Sequence, residues 1–169
     1  MCVLFQTNDC NVRVHTAADI QTILSVYEQS EDFLSLGPVP KASMKMVSAD
    51  IEHSTRSGGV FCVIENHDGS QVGVLDFVPQ YSTHTCFLSL LMIARDHRGK
   101  GYGQAIIQAL ESYLRRNYKT HSIESGVQTN NSRGMGFWRK CGFDIGNIAR
   151  ALDDRTVAYS MRKEIKQTT

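Results

Sequence analysis

RDHRGKGYGQAIIQAL, from Arg95 to Leu110, packs three glycines and four basic or potentially basic side chains into its first nine residues. An apolar run at helical spacing follows. The first turn of a helix carries backbone N–H groups without a partner inside the helix. Aligned peptide dipoles add about half a positive charge there. Glycine lets a chain turn tightly and take positive φ without a clash. Between a buried strand and a helix, Arg98 to Gly103 therefore form a cradle for a diphosphate. Arg95, Arg98 and Lys100 stand at its rim, where charge-assisted contacts are available.

Spacing separates the candidate ligands. A dinucleotide fingerprint needs G-x-G-x-x-G, whereas this stretch gives G-x-G-x-G. A P-loop needs Gly-Lys followed by Ser or Thr, but Gly101 follows Lys100. What fits is a basic or amide residue, two positions, Gly, one position, then Gly or Ala. Arg98, Gly99, Lys100, Gly101, Tyr102 and Gly103 satisfy it. The bland alternative is a glycine-rich connection with solvated basic residues.

Outward from that turn, CFLSLLMIA is nearly all apolar and predicts a strand covered on both faces. Upstream, GVFCVIENHDGSQVGVLDFV predicts a hairpin, with His67, Asp68, Gly69 and Ser70 as its turn. NVRVHT alternates and predicts a first strand. Thr16 and Asp19 form a capping pair for a helix whose apolar face is Ile20, Ile23, Leu24 and Tyr27. SEDFLSLGPVPK reads as a loop, and a second helix is expected over Ala42 to Arg56. Downstream, Ala105, Ile106, Ala109, Leu110, Tyr113 and Leu114 make a helical stripe, and HSIESGVQ predicts another strand. SRGMGFWRKCG predicts a short helix closed by Gly142. Two last strands, near Phe143 to Ala149 and Thr156 to Lys163, flank the turn LDDR. The order β-α-α-β-β-β-α-β-α-β-β belongs to a mixed α/β (α+β) sheet with helices on both sides.

The bulk numbers narrow the classes. The length of 169 residues predicts one domain, 1–169, with a core over about 12–162. With 41% apolar and 21% charged residues the chain is a globular one. A net charge of +1 gives no global field for nucleic acid or a membrane surface, so neither is an expected partner. Five scattered cysteines without a C-x-x-C pair speak against a disulfide scaffold or zinc ribbon, and favour reduced thiols in the cytoplasm. MCVLF is too short for a signal-peptide core, and no apolar run reaches membrane-spanning length. His84, His97 and His121 are spaced too irregularly for a metal set, so no metal is expected. Cys141, at helical spacing from Trp138, reads as a small core residue.

Two blocks, LLMIARDHRGKGYGQAIIQAL and NNSRGMGFWRKCGF, make the chain resemble the GNAT superfamily of acyl-CoA-dependent N-acetyltransferases over roughly Val12 to Arg162. The resemblance implies a mostly antiparallel sheet of about seven strands with a splayed central pair. It implies that Arg98, Gly99, Lys100, Gly101, Tyr102, Gly103 and Gln104 hold the diphosphate of acetyl-CoA, mainly through backbone N–H groups. Leu91, Met92 and Ile93 would end the splayed strand and pair with the pantetheine arm, an N–H near Met92 or Ile93 polarising the thioester. Asn131 matches an asparagine that contacts the arm, and a helix cap is its structural alternative. Trp138 stands where many members carry a tyrosine acid, and its indole cannot protonate a thiolate.

The resemblance also calls for a base, because an amine near the lysine pKa of ~10.4 is protonated at neutral pH. Gly126 falls where some members carry a glutamate. Glu124, two residues earlier on the same strand face, is the expected catalytic residue, and Asp76 is the next candidate. Glu28, Glu31 and Asp32 could draw a cationic acceptor, beside Phe33 and Leu34. The expected activity is direct transfer of an acetyl group to a primary amine, with a small-molecule amine as first choice. A peptide or protein amine and a non-catalytic acyl-CoA sensor are the rivals, and monomer or homodimer stays open.

Overall fold

The computed structural model describes residues 2–152 and 156–168. Eight strands form one sheet in the order β1-β2-β3-β4-β5-β6-β8-β7. They are β1 (Val3–Gln6), β2 (Cys10–Val14), β3 (Val60–Asn66), β4 (Gln71–Gln80), β5 (Thr85–Ile93), β6 (Ser122–Gln128), β7 (Asp144–Ala151) and β8 (Val157–Glu164). Every pairing is antiparallel except β5 with β6. The expected seven strands become eight because β1 is a four-residue strand that pairs with β2 and buries one side chain, Phe5. It is too short to show a period. The turn expected at LDDR falls mainly on 153–155, outside the described residues.

The helices are α1 (Ile20–Glu28), α2 (Glu31–Leu34), α3 (Met44–Arg56), α4 (Tyr102–Tyr118) and α5 (Ser132–Lys140). Asp19 ends a short 3-10 turn before α1, and its carboxylate accepts from the Thr16 N–H at 2.7 Å, the expected capping contact. Ser43 caps α3 by accepting from the Met46 N–H at 3.1 Å. One helical turn, α2, lies where a plain loop was expected. The Leu34 N–H reaches the Ser30 carbonyl at 3.0 Å, and Glu31 and Asp32 suit the positive end of that turn. Gly142 ends α5 at φ +91, with the Phe143 N–H returning to the Trp138 carbonyl at 3.0 Å.

The core lies on both faces of the sheet. On one, Ile106, Ile107, Leu110 and Leu114 of α4 cover Cys62, Leu75, Phe77 and Leu88. On the other, Ile23, Val26 and Tyr27 of α1 and Val47 of α3 cover Phe61, Val63, Val74 and Met92. Arg13, buried on β2, ties β3 and the start of α1 to its own strand. Its guanidinium takes both oxygens of Asp19 at 2.9 Å and both of Glu65 at 3.0 Å.

Candidate active site

Strands β5 and β6 run side by side only from Thr85 to Phe87, opposite Ser122 to Glu124. Both then continue, β5 to Ile93 and β6 to Gln128, without pairing. The sheet therefore splits at its centre. An irregularity in β5 helps to aim the split. Phe77 faces Leu88 while Asp76 faces Leu90, so Ser89 is an extra residue on the β5 side.

Backbone direction beyond the bulge follows from one bond. The Ala94 N–H donates to the Val72 carbonyl at 2.8 Å, which turns residue 94 toward β4. Antiparallel alternation turns Met92 and Leu90 the same way, and leaves the backbone of Leu91 and Ile93 facing the opening. Of the three residues expected there, Leu91 and Ile93 present amides to the split, whereas the Met92 amide faces β4 and its side chain is buried beneath α1 and α3. Close approach of β4 supports this end of the strand. A side chain at Gly73 would lie 2.2 Å from the Met92 carbonyl oxygen, so only glycine fits.

Beyond Ile93 the chain makes a 3-10 turn, Arg95–His97, and enters the glycine-rich loop. Gly99 and Gly101 take φ +73 and φ +82. A side chain on either would meet nothing within 4 Å, so the loop faces open space. Gly101 is the residue before α4, and the first amide to bond back into the helix is that of Ala105, to the Gly101 carbonyl at 3.1 Å. The amides of Tyr102, Gly103 and Gln104 are thus the unpartnered first turn, as a diphosphate cradle requires. Gly103 differs from its neighbours, since a Cβ there would lie 2.9 Å from the Phe137 ring and α5 packs directly on it.

Side chains around the loop are partly committed elsewhere. Arg98 donates from Nη1 to Asp32 at 2.6 Å, from Nη2 to the same carboxylate at 3.2 Å, and from Nε to the Ile93 carbonyl at 2.9 Å. Its guanidinium holds the Asp32 carboxyl below the usual carboxylate range. Arg98 thus contributes its backbone to the loop and its charge to α2. Lys100 donates to the Asp96 carbonyl at 3.0 Å. Asn131 caps α5, its Oδ1 accepting from the Gly134 N–H at 2.9 Å. Trp138 packs edge-on against Phe137 and Phe143, with centroids 4.8 and 5.2 Å away, in the layer under α4 and α5.

Glu124 lies on β6 beside Phe87, at the closed end of the split. It forms an ion pair with Arg162 of β8, which also pairs with Glu164 at 2.6 Å. A cleft of about 430 Å³ opens here, lined by Phe87, Glu124, Asp144, Gly146, Ser160 and Arg162. From Phe87 to Leu91 is four strand steps of about 3.3 Å, so Glu124 stands roughly 10–13 Å from the amides at the open end. Asp76 is sealed in the α3 layer, accepting from the Ser54 hydroxyl at 2.6 Å. Burial pushes its carboxyl up to about 6. Among the acidic residues before and within α2, Asp32 is bound to Arg98, and Glu31 pairs with Lys41 at 3.0 Å.

His84 and His121 stack at 4.9 Å on the surface. No group of three or more His, Cys, Asp or Glu among the described residues could hold a metal ion. Burial raises the Cys141 thiol to about 11, which makes it a poor nucleophile. No described helix is long and apolar enough to cross a membrane.

A family model described as the acetyltransferase (GNAT) family matches residues 23–143. A search of curated proteins gives no match. Among solved structures, the chain is similar to spermidine N-acetyltransferase from Vibrio cholerae in complex with CoA and spermine. That match has a TM-score of 0.73 at 16% identity, over 92% of this chain and 95% of the other. It is also similar to RimL, a ribosomal-protein α-N-acetyltransferase in complex with coenzyme A. Here the TM-score is 0.78 at 12% identity, over 97% of this chain and 98% of the other.

Proposed function

The chain belongs to the acetyltransferase (GNAT) family, and we propose that it moves an acetyl group from acetyl-CoA to a primary amine on a small molecule. The carrying observation is the split sheet. The backbone of Leu91 and Ile93 faces an opening that leads to the unpartnered amides of Tyr102, Gly103 and Gln104. Gly99 to Gln104 hold the diphosphate. Leu91 and Ile93 pair with the amide groups of the pantetheine arm, and Asn131 borders it. The Met92 side chain packs behind them. The thioester supplies an acyl carbon already open to attack. An N–H from Leu91 or Ile93 meets its carbonyl oxygen, and one such donor is typically worth ~2.7–4 kcal/mol in the transition state.

The amine nitrogen forms the new C–N bond as the C–S bond breaks. Glu124 takes the ammonium proton through a chain of several waters, given its distance from the opening. The indole N–H of Trp138 is not acidic enough to give up its proton, so the departing thiolate is protonated from solvent. Arg162 is shared by Glu124 and Glu164, and with Asp144 the carboxylates outnumber it beside the Phe87 ring, so the cleft keeps a negative charge suited to a cationic amine with an apolar stem. One structural relative is a spermidine acetyltransferase, which supports the small-molecule reading; another acts on a ribosomal protein. The five cysteines are free, which fits a reducing, cytoplasmic setting.

Release of free thiol from acetyl-CoA, measured across a panel of polyamines, monoamines and peptides with free N-termini, tests the proposal. Turnover with a small amine is expected, and turnover confined to peptides would move the acceptor class. Calorimetric binding of CoA with no turnover anywhere would make the protein a sensor. With the best amine, Glu124→Gln should lower kcat several-fold, most at low pH where the amine is protonated. An unchanged pH profile would remove Glu124 from the mechanism.

A further inference from the structure

We propose that Arg98 and Asn130 are positioning residues that fasten residues 29–37 across the open end of the β5–β6 split, so that filling the cofactor cradle fixes the wall on the acceptor side. This rests on the acetyltransferase reading and adds to it. The segment is held at two ends. On the β5 side, the Arg98 guanidinium grips Asp32 through two nitrogens while its Nε holds the Ile93 carbonyl. On the β6 side, Asn130 Nδ2 donates to the Leu36 carbonyl at 3.1 Å, and Gly37 lies against the Gln128 amide. These partners are 66 and 94 positions apart in the chain.

Both anchors belong to cofactor-holding segments. Gly99 follows Arg98 directly, and Asn131 follows Asn130. Any shift of the loop as it closes on a diphosphate is carried to Asp32 through the Arg98 guanidinium, and to Gln29 through the Asp96 N–H, which donates to Gln29 Oε1 at 3.4 Å. The segment itself contains a single four-residue helical turn, too short to hold its own position. Phe33 and Leu34 tie it to the layer beneath α1 and α3, so it hinges on that apolar contact and is steered by the two polar ones. Partly exposed ion pairs add little to global stability, so the arrangement is better suited to placement than to holding the fold together.

Hydrogen–deuterium exchange on the whole protein, with and without CoA, tests this. In the wild type CoA should slow exchange both at 99–104 and at 29–37. In Asp32→Asn, CoA should still protect 99–104, while the gain at 29–37 falls at least tenfold. Asn130→Ala should do the same from the other anchor and serves if Asp32→Asn folds poorly. With the best acceptor from the amine panel, both variants should raise KM for the amine more than KM for acetyl-CoA, a split that a general loss of stability does not produce. Equal protection of 29–37 in wild type and both variants would overturn the proposal. So would a wild type in which CoA protects 99–104 alone. Absence of protection anywhere would instead remove the acetyltransferase reading, and this role with it.

Discussion

Gly101 and Gly103 stand two residues apart and are glycine for different reasons. At Gly101 the backbone is left-handed, φ +82, and the space around it is open. At Gly103 the constraint is Phe137, 2.9 Å from where a Cβ would be. Gly101→Asp should therefore fold, at a strain cost of about 1–2 kcal/mol. It places a carboxylate in the cradle and should weaken CoA binding at least a hundredfold. Gly103→Asp should lose binding together with stability, because α5 must move off α4. Calorimetry with CoA alongside thermal melts checks both. Gly101→Asp binding as tightly as wild type would show that the cradle is not where the diphosphate lies. The motif alone marks both positions equally, and only the packing of α5 tells them apart.

At the scale of elements, the Arg13 network is the clearest stabilising device. One buried guanidinium ties β2 to β3 through Glu65 and to the start of α1 through Asp19. Removing one partner of a buried ion pair costs about 3–5 kcal/mol, since the other charges stay behind. Arg13→Met should lose about that much in urea unfolding, and a loss under about 1 kcal/mol would mean that water reaches both carboxylates. Elements defined by local chemistry are legible in the sequence. The hairpin turn at Asp68 and Gly69, the Thr16–Asp19 cap, the Gly142 stop and the entry into α4 each involve residues within a few positions of one another. What stays hidden is set by distant partners. The single-turn α2 is too short to carry a period, and β1 exists because β2 and α4 lie beside it. The pairing of Arg98 with Asp32 leaves no trace in the spacing of either, so Asp32 reads as a free acceptor charge until the fold brings Arg98 to it. Glu124 lies on the face that alternation predicts, but its position at the closed end of the split depends on where β5 and β6 part.

For the whole molecule, two carboxylates of opposite behaviour shape stability against pH. Arg13 holds Asp19 down at about 2, so its contribution is present above about pH 4 and is lost as pH falls toward 2. Burial raises Asp76 to about 6 from an ordinary value of 3.8. The folded state then binds the proton more tightly than the unfolded chain, so stability falls as pH rises from about 4 to 6 and stays lower above that. The joint contribution of these two groups is greatest near pH 4. A shift of about two pKa units corresponds to roughly 3 kcal/mol, so Asp76→Asn should raise the midpoint of unfolding near pH 7.5 and have little effect at pH 4. Equal effects at both values would show that burial of the Asp76 charge is not what it relieves.

Ser89 gives β5 one residue more than its neighbour β4 needs. The two strands pair one to one on either side of it, so this surplus residue bends β5 and tightens its twist without turning any later residue over. Excising Ser89 would leave Leu91 opposite Leu75 and Met92 opposite Val74, with the same amides toward the gap, and would take away only the local bend and added twist. A chain shortened there would keep its glycine loop and the same atoms waiting for a thioester, but on a straighter strand that has lost the bend which carries it away from β6.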